Sequence, residues 1–359
     1  MERYQRHIVL SEVGQEGQDK LSRAKVLVIG AGGLGCPVLQ YLAGAGIGTL
    51  GIMDFDKVEE SNLQRQVLFG TSSIGQNKAL VAKERLEDLN PTIAIKAYPE
   101  KLTSKNALER FKDYDIMVDG TDNFTTRYLI NDAAILTQKP IVYGAIYKFE
   151  GQVSVFNYQN GPSYRCLFPS PPKEGSVANC SEVGVLGVLT GIVGSMQANE
   201  VIKMILGFDN VLSGKLFCYN SRTTQTSTLK ISRNEKVFEQ VLSGKNALQN
   251  NELTITCDAS TPEIAAEDVF QKGNIQFIDV REHHEQPQLH LPNCIQIPLN
   301  QLEQNLNRID GSKTNIVFCQ IGSRSKTAVA LLQKRNITNC YSLKGGVLAL
   351  IKHLKMQTS

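Results

Sequence analysis

The chain has 359 residues, of which 42% are hydrophobic and 20% are charged, a composition typical of a globular protein with two domains. Its net charge of +3 is too small to indicate binding to nucleic acid or to a membrane surface. The sequence MERYQRHIVL at the start lacks the apolar core and cleavage site of a signal peptide, so we expect a cytoplasmic protein.

Strand-like and helix-like patterns alternate over the first 230 residues, which predicts an α/β sheet covered by helices. The apolar run at 24–30 ends in glycine and is typical of a buried parallel strand. Further strands are predicted at 49–54, 93–99, 115–119, 140–145 and 151–158, and helices at 34–45, 77–90 and 125–138. The apolar stretch 183–206 is interrupted by polar residues such as Glu200 and Lys203, which favours a buried helix over a membrane span.

The stretch that follows is polar and weakly periodic, and we interpret 231–252 as a linker with one short helix. A second α/β pattern then begins, with strands predicted at 275–280 and 314–319 and a helix at 323–335. Thr261-Pro262-Glu263 is typical of a helix start, with threonine as the cap and proline in the first turn. The predicted organisation is a first domain over 1–230, the linker, and a second domain over 253–359.

A glycine-rich loop, Gly30-Ala-Gly32-Gly33-Leu-Gly35, lies between the first predicted strand and helix. Glycines there allow backbone N–H groups at a helix N-terminus to approach phosphate. Asp54 follows at the end of the second strand, where a carboxylate meets ribose hydroxyls. Taken alone, this pattern fits a nucleotide, a dinucleotide or a tight structural turn.

The segment DFDKVEESNLQRQ at 54–66 resembles the signature of the ubiquitin-activating-like superfamily, which includes the molybdopterin-synthase and thiamine-pathway adenylyltransferases. Other segments similar to that superfamily follow in order at 75–78, 119–123, Arg127, 164–169 and 180–187. The resemblance covers nearly all of residues 1–230. It implies an α/β fold with a Rossmann-like mixed sheet and a first domain that uses ATP to adenylate a carrier protein.

In the implied reaction, the C-terminal carboxylate of a carrier attacks the α-phosphate of ATP and pyrophosphate leaves. Positioned cations and Mg²⁺ would stabilise the negative charge on the phosphate oxygens. By resemblance, Arg65 and Lys78 face the phosphates and Asp122 holds Mg²⁺. The nucleotide-binding residues that the resemblance implies are Gly30, Gly32, Gly33, Gly35, Asp54, Asn62, Arg65, Gln66, Lys78, Asp122 and Asn123.

Two of these residues, and also Arg6 near the N-terminus, have plain structural interpretations as well. Asp122 fits a helix cap and Lys78 fits a solvated helix residue. Arg6 matches an arginine that reaches the site from the other subunit of a homodimer, which would make the dimer the active form. An arginine near the N-terminus is also compatible with ordinary surface charge.

Eight cysteines are scattered along the chain, and we expect free thiols in a reducing cytosol. Relatives in the superfamily often bind zinc through two Cys-x-x-Cys pairs. Here the first pair is reduced to Ser163-Tyr-Arg-Cys166 and the second is missing, so no zinc site is predicted. Cys180 matches a cysteine that joins covalently to the carrier in parts of the superfamily, and a mobile-loop thiol without that duty is the alternative.

Cys319-Gln-Ile-Gly-Ser-Arg324-Ser lies between a predicted strand and helix. The helix N-terminus and Arg324 would stabilise a thiolate or a persulfide anion there. The loop resembles the active loop of a rhodanese, and similar segments surround it at 278–282, 290–293 and 343–346. A phosphatase loop has five residues between cysteine and arginine whereas this loop has four, which favours sulfur chemistry. The histidines at 283, 284 and 290 are interpreted as surface and loop residues rather than metal ligands.

Together these features predict an adenylyltransferase that activates a ubiquitin-like sulfur carrier ending in Gly-Gly, with a rhodanese domain that delivers sulfur from Cys319. The resemblance favours the small subunit of molybdopterin synthase as the carrier, with the thiamine-pathway carrier as the alternative. A cysteine desulfurase is the expected sulfur donor. The glycine loop and Asp54 alone also permit an alternative of another class, an NAD(P)-binding oxidoreductase with a rhodanese appendage. An inactive rhodanese fold or a non-catalytic scaffold is a further alternative.

Overall fold

The computed structural model describes residues 2–172, 184–244 and 261–357. These residues form two compact units, the first made of 2–172 with 184–244 and the second of 261–357. In these ranges, no helix is both long and apolar enough to cross a membrane.

The first unit is built on one mixed sheet of eight strands, in the order β3-β2-β1-β4-β5-β6-β7-β8. The strands are β1 Lys25–Ile29, β2 Thr49–Met53, β3 Ala94–Tyr98, β4 Ile116–Asp119, β5 Ile141–Tyr147, β6 Glu150–Phe156, β7 Lys215–Asn220 and β8 Thr226–Lys230. The first five are parallel, and β5 to β8 are antiparallel. The predicted mixed α/β sheet is confirmed.

Helices cover both faces of this sheet. They are α1 Gln5–Ile8, α2 Gly14–Arg23, α3 Gly35–Ala45, α4 Lys78–Leu89, α5 Ala107–Lys112, α6 Phe124–Thr137, α7 Tyr164–Leu167, α8 Gly187–Leu206 and α9 Glu235–Ser243. Short 3-10 turns lie at Glu2–Tyr4, Glu60–Asn62 and Thr71–Ser73. Alternate residues of β1 enter different cores: Val26 and Val28 pack with α3, α4 and α8, whereas Leu27 and Ile29 pack with α5 and α6.

The apolar stretch that was predicted to be a buried helix forms α8, which packs along α3 and against β5 and β6. Gln197 in its middle is fully buried and donates to the Asp119 and Val142 carbonyl oxygens at 2.8 and 3.3 Å. The Gln197 side chain therefore ties the middle of this helix to the backbone of β4 and β5.

The first part of the predicted linker is folded onto the first unit. Helix α9 begins after Asn234, whose side chain caps it by accepting from the Lys236 N–H. Val237 and Phe238 on this helix are buried, and α9 packs on α6. The folded unit thus extends past 230 to at least 244, because the short helix has an apolar face to bury. The remainder of the predicted linker, 245–252, lies outside the described residues.

The second unit contains a five-stranded parallel sheet in the order β11-β10-β12-β13-β9. Its strands are β9 Glu263–Ile264, β10 Ile275–Asp279, β11 Cys294–Gln296, β12 Thr314–Phe318 and β13 Cys340–Leu343. Its helices are α10 Ser323–Lys334 and α11 Gly346–Gln357, with 3-10 segments at Val269–Gln271 and Leu299–Arg308. One apolar core lies on each face of this sheet.

The helix start predicted at Thr261-Pro262-Glu263 is wrong. Glu263 and Ile264 form strand β9, which pairs in parallel with Ser342 and Leu343. The Pro262 carbonyl oxygen accepts from the Ser342 N–H at 2.8 Å. Proline cannot donate a backbone hydrogen bond but its carbonyl can accept one, so proline is tolerated at the beginning of an edge strand. Pairing with β13 overrides the local helix signal.

Candidate active sites

In the first unit, three loops meet at the carboxyl ends of adjacent parallel strands. Ile29 is in register with Met53 on one side and with Asp119 on the other. The glycine loop, Asp54 and the loop starting at Gly120 therefore follow directly from neighbouring strands. This edge, between β1 and β4 where the strand order reverses, is where α/β sheets bind nucleotides.

The four glycines of the loop have different roles. Gly30 has a left-handed φ of +93°, and a side chain there would meet the Gly120 carbonyl oxygen at 2.8 Å. A side chain at Gly35 would overlap the Gly30 carbonyl oxygen, and one at Gly33 would meet Thr190 at 2.9 Å. Gly32 is open, since in the described ranges only the Gln66 Nε2 atom lies within 4 Å of its missing side chain, at 3.8 Å. Three glycines thus shape the loop, and Gly32 leaves room for a ligand to approach the backbone.

Asp54 anchors the glycine loop. One carboxylate oxygen accepts from the Ala31 N–H at 2.8 Å and the other from the Asp56 N–H at 2.9 Å. Burial raises the pKa of this carboxyl, and Lys78 opposes the rise. The predicted ribose contact remains a prediction; the carboxylate stands in the expected place and fixes the loop geometry.

The 59–66 segment folds as a tight turn beside the loop. Asn62 is buried, and its side-chain oxygen accepts from the Glu59 N–H at 3.2 Å. The backbone carbonyl oxygen of Asn62 accepts from the N–H groups of Arg65 and Gln66. Arg65 is partly exposed and donates to the Ser61 carbonyl at 3.0 Å. Gln66 is 3% exposed, and its Oε1 atom accepts no hydrogen bond from the residues that the structure describes. The Nε2 atom of the same amide lies 3.8 Å from the place of a Gly32 side chain, so this buried acceptor is close to the open part of the loop, where a ligand would supply its partner.

Lys78 is held at the site by the N-terminus of α4. The Asn77 side chain caps this helix and also donates to the Asp54 and Asp56 carbonyls at 3.1 and 3.2 Å. Lys78 itself is only 7% exposed, and its Nζ lies 3.3 Å from an Asp56 carboxylate oxygen. The alternative of a solvated helix residue does not fit a lysine that is buried next to two carboxylates.

At the end of β4, Asp122 and Asn123 are both exposed. Asn123, not Asp122, caps α6, because its side-chain oxygen accepts from the Thr126 N–H at 2.9 Å. The Asp122 carboxylate accepts no hydrogen bond from the described part of the chain and is available to a ligand. Arg127 holds this loop by donating to the Thr121 carbonyl at 2.9 Å, and it lies 3.9 Å from the buried Asp119.

Other predicted residues of the first unit lie apart from this edge or outside the structure. Arg6 is exposed on α1. Cys180 lies outside the described residues. Cys166 sits where the incomplete zinc motif would be: its sulfur accepts from the N–H groups of Ser163 and Asn234, both at 3.3 Å. Among the residues described, no cluster of three or more His, Cys, Asp or Glu is arranged to hold a metal.

In the second unit, Cys319 follows β12 and the loop runs into α10. Cys319 is fully buried, and its sulfur accepts from the Gly322 N–H at 3.1 Å. Gly322 has a φ of +108°, and a side chain on Gly346 would lie 2.5 Å from the Cys319 carbonyl oxygen. The left-handed glycine turns the loop back over the sulfur, and the Gly345-Gly346 pair allows the next loop to pack against it.

Two ion pairs hold the cysteine loop. Arg324 donates to both carboxylate oxygens of Glu285, at 2.6 and 2.7 Å. Burial opposes ionisation of Glu285, but the hydrogen bonds from Arg324 hold the pKa of that carboxyl below its ordinary value. Arg281 is fully buried, is paired with Asp279, and donates to the Gln320 side chain at 3.2 Å. Arg324 is therefore near the loop as predicted, with its charge matched by a carboxylate.

Sequence reasoning missed Glu285 and the buried serines 325 and 342. Ser325 Oγ lies 3.8 Å from the Cys319 sulfur and 2.8 Å from Ser342 Oγ. Ser325 could have been found from the sequence, because it is the last residue of the loop motif. Ser342 could not, because it lies on a strand 17 residues later in the chain. The histidines predicted to lie on the surface belong to no metal cluster in the described ranges, and His283 contacts Gln296 at 3.0 Å.

The fold and the two sites define a class of protein: a two-domain α/β enzyme with a nucleotide-binding unit and a cysteine-loop unit. Residues 4–239 match the model of the ThiF family, and residues 261–353 match that of the rhodanese-like domain. The chain belongs to the ThiF family and carries a C-terminal rhodanese-like domain, as the sequence motifs predicted.

Relatives match either about two thirds or nearly all of this chain. The chain is 52% identical over 241 residues to a Thermus thermophilus sulfur carrier protein adenylyltransferase, a match that covers 66% of this chain and 89% of the relative. It is 38% identical to the probable adenylyltransferase/sulfurtransferase MoeZ of Mycobacterium tuberculosis, over 98% of this chain and 93% of the relative. The crystal structure of Escherichia coli MccB is similar with a TM-score of 0.58 and 25% identity, over 65% of this chain and 70% of that one.

Proposed function

We propose that this enzyme uses ATP to adenylate the C-terminal glycine of a small sulfur-carrier protein and then transfers sulfur from Cys319 to it, giving a thiocarboxylate. The observation that carries the adenylation step is the open space over Gly32. It is bordered by the buried Gln66 amide, whose Nε2 lies 3.8 Å from the place of a Gly32 side chain and whose Oε1 has no hydrogen-bond partner among the described residues. The names of the relatives, sulfur carrier adenylyltransferase and adenylyltransferase/sulfurtransferase, support the same activity.

In the adenylation step, a carboxylate oxygen of the carrier forms a bond to the α-phosphorus of ATP, and the bond to pyrophosphate breaks. Arg65 and Lys78 would neutralise charge on the phosphates, and Asp54, fixed by Ala31 and Asp56, would bind the ribose. Lys78 is preorganised for this role, because the capped start of α4 holds it in a buried position.

Magnesium is a further part of this proposal. Mg²⁺ is commonly held by one or two carboxylates together with substrate phosphates. The exposed Asp122 carboxylate fits that donor set, since it accepts no hydrogen bond from the described residues and stands at the nucleotide edge. Mg²⁺ bound there would neutralise phosphate charge. Asn123 would contribute through the loop conformation, because its side chain is used in capping α6.

In the sulfur step, the terminal sulfur of a Cys319 persulfide attacks the acyl carbon of the carrier adenylate, and AMP leaves. The resulting acyl disulfide is cleaved when a thiolate attacks the Cys319 sulfur, which releases the carrier thiocarboxylate and leaves a disulfide for an external thiol to reduce. Cys180 or an external thiol supplies that thiolate. A cysteine desulfurase supplies the persulfide sulfur.

The small subunit of molybdopterin synthase is the proposed carrier. A relative 38% identical to this chain, from Porphyra purpurea, is named a probable molybdopterin-synthase adenylyltransferase. The thiamine-pathway carrier is the alternative substrate for the same chemistry. The oxidoreductase alternative is not favoured, because the family match and the relatives are those of adenylyltransferases.

The proposed working form is a cytoplasmic homodimer in which Arg6 of one subunit reaches the nucleotide site of the other. Its exposure on the short helix α1 supports such a role, since among the described residues the side chain has no hydrogen-bond or ion-pair partner. Mixing two inactive variants, Arg6→Ala and Lys78→Ala, tests it. Activity recovered in the mixture supports a site shared between subunits, and no recovery contradicts it.

Carrier-dependent exchange of labelled pyrophosphate into ATP tests the adenylation step, and mass spectrometry of each carrier tests the sulfur step. We expect exchange and a thiocarboxylate on one carrier in the presence of ATP and a sulfur source. The Cys319→Ala variant should keep the exchange and lose the thiocarboxylate, whereas Cys340→Ala, at another buried cysteine of the same unit, should keep both. Absence of exchange with every Gly-Gly carrier would defeat the proposal.

A further inference from the structure

The Cys319 sulfur lies in a fully buried place where a thiolate would need hydrogen-bond donors. An ionised group that is removed from water is stable only when nearby donors or charges replace its hydration. Among the described residues, one backbone donor reaches it, the Gly322 N–H at 3.1 Å. Val347 N–H is bonded to the Cys319 carbonyl oxygen and does not serve the sulfur.

The charged side chains around the loop are engaged with one another. The pairs are Asp279 with Arg281, Glu285 with Arg324, and Glu263 with Lys326. The other titratable side chains described on the neighbouring β13 and α11 segments are Cys340, Tyr341, Lys344, Lys352 and His353. Stabilisation of a thiolate must therefore come largely from neutral donors.

Two buried serines complete the surroundings of the sulfur. Ser325 Oγ lies 3.8 Å from the Cys319 sulfur, 3.0 Å from the Gly322 carbonyl oxygen and 2.8 Å from Ser342 Oγ. Both serines are fully buried. A hydroxyl has one proton to donate and two lone pairs to accept with, so these three contacts use the whole capacity of Ser325.

This arrangement suits both charge states of the sulfur. With Cys319 as a thiol, the S–H donates to Ser325, and Ser325 donates to the Gly322 carbonyl. With Cys319 as a thiolate, the Ser325 proton turns to the sulfur and the Ser342 hydroxyl donates to Ser325. When the Ser325 hydroxyl rotates in this way, the Gly322 carbonyl oxygen still accepts a hydrogen bond from the Lys326 N–H, at 3.3 Å. The rotation therefore does not leave that carbonyl oxygen without a partner.

We infer that Ser325 and Ser342 are positioning residues that form a two-hydroxyl relay, which lets the buried Cys319 ionise before it attacks the sulfur donor. The inference deepens the proposed function and rests on its sulfur step. Ser325 makes the direct contact, and Ser342 acts through it.

To test the relay, the rate at which iodoacetamide alkylates Cys319 in the full chain is measured by peptide mass spectrometry over a range of pH. Burial raises the pKa of both Cys294 and Cys340 to about 11, so these neighbouring thiols compete little near neutral pH. Because a hydrogen bond to a charged group is a strong one, we expect Ser325→Ala to slow alkylation at pH 7.5 by roughly tenfold or more. Ser342→Ala should slow it by a smaller factor, and both should move the midpoint of the profile to higher pH.

Two further variants separate the relay from simple loss of packing. Ser342→Thr keeps the hydroxyl and should restore the parent profile, while Val329→Ala removes buried core volume on α10 and should lower stability without moving the midpoint. Unchanged profiles in both alanine variants, or an equal shift in Val329→Ala, would overturn the inference. If Ser342→Thr fails to fold, Ser325→Thr provides the rescue, and failure to restore the profile there counts against the relay.

The measurement needs neither ATP nor a carrier. A carrier that is never adenylated would therefore defeat the proposed function and leave the relay standing. An unmoved alkylation profile together with normal thiocarboxylate formation would defeat only the relay.

Discussion

Removing the carboxylate of Asp279 tests how the cysteine loop is held. Asp279 ends β10 and binds the fully buried Arg281 through three hydrogen bonds of 2.7 to 3.1 Å. Arg281 in turn donates to the Pro287 carbonyl at 3.0 Å and to the Gln320 side chain in the cysteine loop. The substitution Asp279→Asn therefore leaves a buried guanidinium without its counterion and loosens the loop.

The expected cost can be taken from the burial of this pair. The side-chain exposure is 0% for Arg281 and 8% for Asp279, so water does little to screen the remaining charge. Breaking a buried pair by removing one partner costs about 3–5 kcal/mol. A single domain commonly has a free energy of unfolding of about 5–15 kcal/mol, so the loss takes a large share of the stability of the second unit.

Hydrogen exchange resolved by peptide mass spectrometry would read the stability of residues 261–357 separately from that of the first unit. We expect Asp279→Asn to lower protection there and to abolish thiocarboxylate formation, with carrier-dependent pyrophosphate exchange unchanged. The control Glu303→Gln breaks an ion pair with Arg335 in which both side chains are 57% exposed, and it should cost about 0–1 kcal/mol.

A double variant, Asp279→Asn with Arg281→Met, provides the sharpest check. It removes both charges, so no uncompensated ion remains, and it should be more stable than Asp279→Asn alone. The reasoning is refuted if Asp279→Asn is as protected as the parent chain, or if the double variant is less stable than the single one.

Three further predictions concern the glycine loop, the second ion pair and the vestigial zinc motif. Gly35→Ala should lower the melting temperature, because its side chain would overlap a backbone oxygen, whereas Gly32→Ala should melt like the parent but lose pyrophosphate exchange; equal melting of the two would contradict this. Hydrogen bonds from Arg324 hold the pKa of Glu285 below its value in the unfolded chain, which is about 4.3. The pair therefore stabilises the protein at pH values above that unfolded pKa, and the stabilisation is lost as the pH falls through the lower pKa of Glu285 in the folded protein. Glu285→Gln should therefore be less stable at pH 7 and lose less stability between pH 5 and pH 3 in unfolding experiments; a parent-like pH dependence would be inconsistent with the pair. Cys166→Ala should cost about 1 kcal/mol through the hydrogen bonds of its sulfur, and a chelator should leave the melting temperature of the parent unchanged; a chelator-induced drop would show that a metal stabilises the fold.

Many of the strands and several of the helices follow from local signals in the sequence. Apolar runs of six or seven residues, ending here in Gly30, Asp54 or Cys319, predict buried parallel strands, and β1, β2 and β12 lie within one residue of the predicted bounds at each end. Asn77 and Asn123 start α4 and α6 through their side chains, as asparagine caps do. Patterns of this kind depend only on neighbouring residues, which is why the sequence reveals them.

The parts that the sequence did not predict depend on contacts between distant residues. Glu263 and Ile264 became a strand because Ser342, far along the chain, offers a free edge. Glu285 meets Arg324 across 39 residues, so the counterion of the predicted cation was not visible in the loop motif. The capping role of Asn123 rather than Asp122 was a choice between adjacent residues that only the backbone geometry decides.

The active loops of the two units are held in place by the same kind of interaction. In each, the loop that follows one parallel strand is fixed by a carboxylate or an ion pair from the end of the neighbouring strand. Asp54 after β2 binds the Ala31 N–H of the loop after β1, and the Asp279–Arg281 pair at the end of β10 binds Gln320 of the loop after β12. Neighbouring strands in a sheet lie less than 5 Å apart, so such an anchor works without help from the rest of the chain. Each chemical step can then be lost separately, which is why Asp279→Asn should stop sulfur transfer and leave adenylation intact.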